Sequence, residues 1–472
     1  MLPRVIGVTS QAAAPGSAAQ GSAPFSSALL TDHYELTMLS AALADGSAHR
    51  PCSFEVFARS LPNGRRYGVV AGLGRLLALL PHFRFGDSEL EVVSRFLDER
   101  TVAWLRDYRF SGDVDGYPEG ELYFPGSPVL SVRGTFAECV VLETLVLSVL
   151  NHDTAIASAA ARMVTAAGGR TLIEMGSRRT HEEAAVAASR AAYLAGFDTT
   201  SNLEAARRWG IPSAGTSAHA FTLLHTTADG TDERAAFRGQ VDALGTSTTL
   251  LVDTYDITRG VENAIAVAGP DLGGVRIDSG DLGVLAGQVR RQLDGLGATG
   301  TRIVVSGDLD EYSIAGLRAE PVDVYGVGTS LVVGSGAPTA GMVYKLVEVD
   351  GIPVEKRSTH KTSRGGAKRA ARVARASGTL VEEVVYPAHM SRDDALADAA
   401  SSSFGTASVE SHGVEVRDVL VPLVRGGDVV DDIPTLAQGR DRVAAGLVSL
   451  PWEGLKLSHG DAAVPVRFVS PR

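Results

Sequence analysis

Short apolar runs alternate with longer amphipathic stretches between residues 170 and 330, and this pattern predicts strands that alternate with helices. The predicted elements are, in chain order, a strand at 171–175, a helix at 182–195, a strand at 197–201, a helix at 203–209, a small-residue strand and turn at 212–221, a strand at 248–253, a helix at 261–267, a strand at 274–278, a helix at 282–293, a strand at 302–305, a helix at 311–317 and a strand at 322–327. Alternation of this kind is typical of βα units around a parallel sheet. Six or seven units in about 160 residues favour an α/β barrel, complete or incomplete, over an open sheet.

The two ends of the chain show a different pattern. Turn signals such as Pro62-Asn63-Gly64, with predicted helices near 30–43 and 136–150, indicate a separate α+β domain before the barrel. After the barrel, two apolar runs flank Asp350-Gly351 and predict a hairpin. Residues 392–412 are rich in Ser, Ala and Asp and predict a mobile surface segment.

These patterns divide the chain into four parts. They are a disordered tail at 1–27, an N-terminal α+β domain at 28–150, a barrel domain at 151–341, and a C-terminal segment at 342–472 that packs partly on the N-terminal domain. The tail is predicted to be disordered because its Ala, Ser and Gly residues offer little apolar surface to bury.

Composition narrows the class of protein. The net charge of −11 argues against general nucleic-acid binding, because an acidic protein repels phosphate backbones. Two cysteines are too few for a disulfide framework or a four-cysteine zinc site, so we expect a reduced, cytoplasmic protein without zinc. No apolar run reaches the roughly 18 residues of a membrane span, and the N-terminus lacks the pattern of a secretion signal, so we expect no membrane partner.

Candidate chemistry is concentrated after the predicted strands, where barrels of this kind hold their active sites. The residues there are Arg178, Arg179 and His181, then Gly215 to His219, then Asp253, Tyr255 and Asp256, then Arg276, Asp278 and Asp281, then Ser306, Gly307, Asp308 and Asp310, and finally Gly326 to Ser330. Arginines suit anionic oxygens, glycine-rich strand ends suit phosphate, and aspartates suit sugar hydroxyls or hydrated Mg²⁺. Together they predict a phosphorylated sugar, with Mg²⁺, that meets a second anionic substrate.

Each candidate also has a purely structural interpretation. The arginine pair could begin a helix, the glycine pair of the last strand could be only a turn, and Asp253 and Asp256 could cap the following helix. His219 alone would be structural in most contexts, but its small neighbours leave the imidazole room to act as a base or nucleophile. The chain has no Gly-Lys pair, no His-Glu-x-x-His and no Gly-x-Ser-x-Gly, which excludes a Walker A loop, a zinc protease helix and a hydrolase nucleophile elbow.

Seven segments in series, between about residue 28 and residue 370, resemble nicotinate phosphoribosyltransferase. They are LLTDHYELTM (29–38), EMGSRR (174–179), GTSAH (215–219), LVDTYD (251–256), RIDSGD (276–281), GVGT (326–329) and KRSTHK (356–361). The resemblance implies the incomplete α/β barrel of type II phosphoribosyltransferases, with an N-terminal α+β domain and a homodimer that shares its active sites. It also implies a reaction that joins nicotinate to 5-phosphoribosyl 1-diphosphate, giving nicotinate mononucleotide and diphosphate with coupled ATP hydrolysis, as the first step of NAD salvage from nicotinate.

The resemblance also implies roles for individual residues. His219 matches the histidine that ATP phosphorylates, and Tyr34 matches a tyrosine that stacks near the pyridine ring in the partner subunit's site. Thr216 and Arg276 match residues around nicotinate. Mg²⁺ is expected with the diphosphate or with ATP. The residues implied for 5-phosphoribosyl 1-diphosphate are Arg178, Arg179, Asp278, Gly307, Gly328 and Thr329.

Three alternatives remain at this point. A sister enzyme that uses nicotinamide or quinolinate would differ in its pyridine substrate, although quinolinate enzymes need no phosphorylatable histidine. A non-catalytic sensor on the same barrel would bind sugar phosphate without turnover. A phosphate-binding barrel lyase would need a Schiff-base lysine at a strand end, whereas Lys345 lies beyond the last predicted barrel strand.

Overall fold

A parallel sheet organises the middle of the chain in a computed structural model, which describes residues 26–356, 364–401 and 414–469. The chain divides into two units, one formed by residues 159–336 and the other by residues on both sides of that segment. Residues 1–25 of the predicted tail and residues 357–361 of the KRSTHK segment lie outside the described residues.

The sheet of the 159–336 unit contains six parallel strands, labelled here in chain order within the unit. They are β1 (Thr171–Glu174), β2 (Thr199–Thr200), β3 (Thr249–Leu251), β4 (Gly274–Ile277), β5 (Arg302–Gly307) and β6 (Val324–Val327). Their order in space is β3-β4-β5-β6-β1-β2, and a bridge from Thr200 to Ser213 extends the β2 edge. The curled sheet stops short of a closed ring, which confirms the predicted incomplete barrel.

Helices connect these strands, as the alternating pattern predicts. They are Glu182–Ala195, Leu203–Trp209, His219–Leu224, Glu233–Leu244, Ile257–Ala268, Leu282–Gly295, Glu311–Gly316 and Thr329–Val332, with a 3₁₀ turn at Leu317–Ala319 and a small hairpin of Thr226–Thr227 with Gly230–Thr231. Ile257–Ala268 buries Val261, Ala264 and Ile265 on one face, the spacing expected of a helix packed on a sheet.

Two features of this unit differ from the sequence prediction. The 212–221 stretch is predicted as a strand and turn, whereas the structure has one isolated bridge at Ser213 and a helix that begins at His219. Ala218 precedes this helix without a side-chain cap, so the usual sequence signal of a helix start is missing. The helix Glu233–Leu244 is absent from the prediction, and two of its four buried positions, Glu233 and Gln240, are polar, which weakens its apolar pattern.

The second unit is built around a seven-stranded sheet drawn from both ends of the chain. Its strands lie in the order Ile352–Pro353, Met342–Val349, Pro51–Ala58, Leu130–Thr135, Asp113–Gly116, Val421–Arg425 and Asp428–Val429. Met342–Val349 pairs antiparallel with Ile352–Pro353 around Asp350-Gly351, as the predicted hairpin requires. A short ladder joins Gly68–Val69 to Leu122–Tyr123.

A four-stranded sheet and a helix complete the C-terminal part of this unit. The strands lie in the order Val414–Asp418, Lys368–Arg375, Leu380–Pro387 and Val466–Phe468. The prediction of a mobile segment at 392–412 is wrong for its first ten residues, which form the helix Arg392–Ser401; residues 402–412 lie outside the described part. Ala395 and Ala399 are buried four residues apart, so this helix packs one face on an apolar cluster.

The remaining helices of the second unit surround its apolar core. They are His33–Asp45, Leu73–Leu79, Asp87–Val93, Glu99–Asp107, Phe136–Val140, Glu143–Ala167, which continues into the other unit, and Leu436–Ser449, with 3₁₀ turns at Ser47–His49, Pro62–Gly64, Leu80–His82 and Trp452–Leu455. The stretch Phe136–Ala167 is long and apolar enough to cross a membrane, but 67% of its most apolar window is buried inside the protein. Core helices of soluble proteins pass the same test.

Candidate active site

Polar side chains gather at the edge of the parallel sheet where its strands end. All six strands run in the same direction, so the segments that follow them emerge at one edge. The segment after the Ser213 bridge crosses the gap in the sheet, because side chains from this segment contact residues of β4 and of the loop after β3. Candidate residues that are far apart in sequence therefore meet there.

His219 is held through both nitrogens of its ring. Nδ1 lies 3.1 Å from Thr254 Oγ1, and Nε2 lies 3.2 Å from Asp278 Oδ1. The side chain is nevertheless 39% exposed. The ring is therefore fixed in orientation and still open to solvent, an arrangement that suits a proton-transfer group or a nucleophile.

Arg276 points from β4 into the same cluster and is 12% exposed. Its Nη1 donates to Thr216 Oγ1 at 2.6 Å, and its Nη2 lies 3.7 Å from Asp278 Oδ2. Its Nε is buried and has no hydrogen-bond partner among the described residues. Burial lowers the pKa of Arg276, and the nearby Arg178 adds to this effect, whereas Asp278 and Asp253 oppose it. A partly buried guanidinium with an unpaired donor suits a carboxylate or phosphate oxygen.

Asp253 organises the acidic side of the cluster. Its Oδ2 accepts from the backbone N–H of Asp278 at 2.9 Å and from Ser279 Oγ at 2.8 Å. Its Oδ1 is buried and has no partner among the described residues. Ligand atoms of Asp253, Asp278 and His219 lie within 4.8 Å of one another. A buried carboxylate oxygen without a partner, next to a second carboxylate, fits the oxygen ligands that Mg²⁺ prefers.

The turn after β1 is shaped by a buried carboxylate. Glu174 is fully buried and accepts hydrogen bonds from the Gly176 N–H, from Ser189 Oγ at 2.8 Å and from Thr200 Oγ1. The N–H of Arg179 then donates to the Gly176 carbonyl at 2.8 Å, which closes the turn. The sequence motif EMGSRR therefore encodes a turn that presents its two arginines to solvent.

Two glycines let this turn approach the loop after β6. A Cβ on Gly176 would lie 2.1 Å from Val332 Cγ1, and a Cβ on Gly328 would lie 3.3 Å from the Met175 carbonyl oxygen. A side chain at position 176 would clash with Val332, so only glycine lets the two segments come this close. The arginine turn and the segment that starts at Gly328 and Thr329 are therefore neighbours.

The structure places the other predicted residues as follows. Gly307 ends β5 with φ of 150°, and a Cβ there would lie 3.5 Å from the Asp278 carbonyl oxygen, so it borders the His219 cluster. Tyr34 belongs to the other unit, in the first turn of His33–Asp45, and its side chain is 43% exposed. Burial raises the pKa of Tyr34, and the Glu143 carboxylate raises it further.

Thr254, a direct contact of His219, is absent from the sequence-based set of site residues. Geometry separates the two aspartates that the sequence left open between a capping and a ligand role. Asp256 caps Ile257–Ala268 by accepting from the Arg259 N–H at 2.8 Å, whereas Asp253 faces the cluster. Both Thr254 and Asp253 lie in the LVDTYD segment after β3; Asp253 is already a sequence candidate, whereas nothing in the sequence sets Thr254 apart from an ordinary turn residue.

Comparisons with known proteins identify the family of this chain. A family model described as the nicotinate phosphoribosyltransferase (NAPRTase) N-terminal domain matches residues 29–151. The chain is 66% identical over 444 residues to the nicotinate phosphoribosyltransferase pncB1 of Mycobacterium tuberculosis, covering 93% of this chain and 95% of that protein. The chain belongs to the nicotinate phosphoribosyltransferase family.

Solved structures of nicotinate phosphoribosyltransferases extend the likeness to the fold. The crystal structure of human nicotinic acid phosphoribosyltransferase superimposes with a TM-score of 0.76 at 27% identity, covering 93% of this chain and 97% of that one. The crystal structure of nicotinate-nucleotide pyrophosphorylase from Pyrococcus furiosus gives a TM-score of 0.72 at 25% identity, over 89% and 94% of the two chains. The fold is that of the type II phosphoribosyltransferases, as the sequence resemblance implied.

Proposed function

We propose that this chain joins nicotinate to 5-phosphoribosyl 1-diphosphate, with ATP hydrolysis coupled, to give nicotinate mononucleotide and diphosphate. The observation that carries the proposal is the cluster in which His219, Arg276, Asp278 and Thr216 lie within contact distance at the edge of the parallel sheet. Family membership supplies the reaction class. In the cell this reaction would be the first step of NAD salvage from nicotinate, and we place the protein in the cytoplasm.

In the proposed reaction, the pyridine nitrogen attacks the anomeric carbon as diphosphate leaves. Catalysis rests on alignment and charge stabilisation, because the chain offers cations and hydrogen-bond donors around the reacting groups. Arg276 would bind the nicotinate carboxylate through its unpaired Nε, with Thr216 holding the guanidinium in place. Asp278 would accept from the ribose hydroxyls.

The diphosphate and the sugar phosphate would lie on the other side of the cluster. Arg178 and Arg179 are exposed on the turn after β1 and would neutralise the leaving diphosphate. Gly307 ends β5, and Gly328 and Thr329 follow β6, so this glycine-rich end of the sheet would face the phosphate oxygens.

Mg²⁺ fits the acidic side of the cluster. Asp253, through its unpartnered Oδ1, and Asp278 would hold it. When bound, it would neutralise charge on the diphosphate of the substrate or on ATP. The amide and hydroxyl donors of Asp278 and Ser279 keep Asp253 pointed at that position.

The coupled step would use His219 as the phosphoryl acceptor. The ring is oriented by Thr254 and Asp278 and is open to solvent, so Nδ1 can attack the γ-phosphorus of ATP, while ADP leaves, once the Thr254 hydroxyl turns away from it. The phosphoryl group adds negative charge and acceptor oxygens, which would change the affinity of the site for the sugar diphosphate until hydrolysis releases phosphate.

The experiment that tests the proposal is nicotinate mononucleotide formation with and without ATP. We expect turnover in both conditions and a clear stimulation by ATP. His219→Ala should abolish the stimulation and the incorporation of label from γ-³²P-ATP, and it should keep some uncoupled transfer because His219 does not attack the sugar. A His219→Ala enzyme that ATP still stimulates would contradict the assignment.

A further inference from the structure

A buried carboxylate, Glu311, lies between two of the loops that follow the barrel strands. It is the first residue of the helix Glu311–Gly316, which the loop after β5 enters. Its side chain is 3% exposed, and its Oε1 lies 3.0 Å from Nε of Arg162, which is 6% exposed. Arg162 also donates from Nη2 to the Tyr312 hydroxyl at 3.2 Å. A charged pair this deeply buried is held in one geometry by its hydrogen bonds.

The second oxygen of Glu311 is used by a residue from the loop after β6. Ser335 Oγ donates to Glu311 Oε2. Ser335 has φ of 51° and stands between Gly334 and Gly336, which have φ of 63° and 78°. Three successive residues therefore form a left-handed turn, and the middle one is a residue that rarely adopts this conformation. The bond to Glu311 supplies a reason for serine at that position.

The left-handed turn is tied directly to the segment that starts the β6 loop. The Ser335 N–H donates to the Ser330 carbonyl at 2.6 Å, and the Gly334 N–H donates to the Leu331 carbonyl at 2.9 Å. These carbonyls belong to the short helix Thr329–Val332, which begins directly after Gly328. A displacement of the turn would therefore displace Gly328 and Thr329.

The helix that carries Glu311 does not need this carboxylate for its own cap. Asp310 already accepts from the N–H groups of Tyr312 and Ser313, at 3.0 and 2.8 Å, and Ser313 completes the capping box. The Glu311 side chain instead faces inward and joins elements that are distant in sequence. Its bonds therefore serve the loops and not the helix start.

We propose that Glu311, supported by Arg162, is a positioning residue that joins the β5 and β6 loops and so fixes Gly328 and Thr329 for the phosphate of 5-phosphoribosyl 1-diphosphate. This inference rests on the proposed function for the identity of the ligand. Glu311 itself does not contact the substrate. It acts through Ser335 and the left-handed turn.

The test compares three variants with a matched control in the full-length protein. Ser335→Ala and Ser335→Gly remove the hydroxyl, and glycine adopts the left-handed conformation without strain. Glu311→Gln keeps the shape and removes the charge that pairs with Arg162. Ser313→Ala, the control, removes a hydroxyl that bonds Asp310 and leaves the Glu311 side chain with both of its partners, Arg162 and Ser335.

The primary readout is the Kd for 5-phosphoribosyl 1-diphosphate with Mg²⁺, measured by calorimetry. We expect all three variants to weaken binding about tenfold, as loss of a hydrogen bond to a charged group allows.

Phosphorylation of His219 by ATP should stay within about twofold of wild type, because its partners are untouched. Ser335→Gly should keep the wild-type melting temperature, and Ser313→Ala should keep the wild-type Kd. Hydrogen exchange of the amides at 329–336 should be faster in the three variants only.

Each outcome decides the inference. The inference is overturned if Ser335→Gly and Glu311→Gln both leave the Kd unchanged, even if amide exchange at 329–336 is faster. The bond between Ser335 and Glu311 would then have no effect on ligand binding. A weakened Kd in the Ser313→Ala control also overturns it, since general destabilisation would explain the effect. A wild-type protein that binds the sugar diphosphate without turnover refutes the proposed function, while the Kd series still tests the positioning role. A wild-type protein that does not bind it refutes both.

Discussion

The hydrogen bonds of His219 give its two ring nitrogens different roles. An ionised carboxylate only accepts, so contact with Asp278 places the ring proton on Nε2. Nδ1 then presents its lone pair to the Thr254 hydroxyl, which donates to it. Thr254 therefore orients the ring, and its hydroxyl has to turn away from Nδ1 when that nitrogen attacks phosphorus.

This arrangement predicts the behaviour of Thr254 variants. Thr254→Val keeps the size of the side chain and removes the donor, so labelling of His219 by γ-³²P-ATP should slow by about tenfold. Thr254→Ser restores the hydroxyl and should label within about threefold of wild type. The measurement is the initial rate of acid-labile, base-stable label. Equal labelling rates in the valine and wild-type proteins would show that the hydroxyl plays no part.

The position of Arg276 leads to a second prediction, which concerns the preference of the enzyme for nicotinate over nicotinamide as substrate. A carboxylate gains a charge-assisted pair with the guanidinium, whereas the neutral amide does not, so we expect wild type to use nicotinamide poorly. Arg276→Gln should lower the ratio of kcat/KM for nicotinate over nicotinamide by about a hundredfold, mainly through nicotinate. Arg178→Gln, which removes a cation outside the proposed carboxylate site, should preserve the ratio. If Arg276→Gln also preserves it, another group reads the carboxylate.

Among individual residues, the sequence predicted site positions best where the residue type has few possible roles at the end of a strand. His219, Arg276 and Asp278 were predicted as site candidates and lie together. Asp253 stayed ambiguous because the same carboxylate can cap a helix or face a cleft, and only its distance to the Asp278 N–H decides. Thr254 was missed because a threonine after a strand has no sequence pattern that separates a site role from an ordinary turn.

The secondary-structure elements were predictable where the apolar period was regular. The helix at 182–195 matches its prediction at both ends, and the core of each strand of the parallel sheet lies inside its predicted range. The pattern fails at the helix that begins at His219, which has no capping side chain, and at Glu233–Leu244. The helix Arg392–Ser401 is not predicted because its Ser, Ala and Asp residues are typical of a surface segment, and the described side chains that it buries are only those of the small residues Ala395 and Ala399.

One buried arginine of the second unit pairs with a carboxylate on the neighbouring strand and with another just before Leu122–Tyr123, and this gives a stability prediction. Arg372 is 1% exposed and pairs with Glu121 at 2.6 Å and with Glu383 at 3.0 Å. Arg372→Met would leave two buried carboxylates without this partner, so unfolding free energy at pH 7 should fall by about 3–5 kcal/mol. Urea denaturation at several pH values measures the free energy of unfolding. The control is Arg369→Met, at an exposed position of the same strand, and it should change the free energy of unfolding little.

The pH dependence of that loss follows from Glu121. Burial acts to raise its pKa, but Arg372 and Arg417 lower it by more, so the pKa of Glu121 lies below its ordinary value of 4.5. As pH falls below that value the unfolded chain takes up the proton first, and the stabilisation from the pairs is lost. The difference between wild type and Arg372→Met should therefore be largest at neutral pH and shrink in acid. A difference that grows in acid would contradict the assigned pairs.

The assembly of the entire chain was the least accessible to prediction. The strand Pro51–Ala58 pairs with Met342–Val349, almost three hundred positions away, and Val421–Arg425 joins the same sheet. Local periodicity reports which residues are buried but not which distant strand lies beside them. The family resemblance, not the pattern, supplied the fold of the complete chain.

The expected homodimer makes the last prediction, because shared active sites can be detected by mixing. Tyr34 has an exposed ring, Met38 is exposed one helical turn further on, and Leu30 is exposed in the segment before the helix, so these side chains offer apolar surface to a second copy. If Tyr34 completes the site of the partner, a Tyr34→Ala subunit and a His219→Ala subunit form a heterodimer with one doubly defective site and one intact site. ATP-stimulated activity should then recover to about a quarter of the wild-type value after random subunit exchange, while each variant alone stays inactive in that assay. If each subunit builds its own site, every site in the mixture keeps one defect and no activity returns, so the absence of recovery in verified heterodimers would exclude sharing.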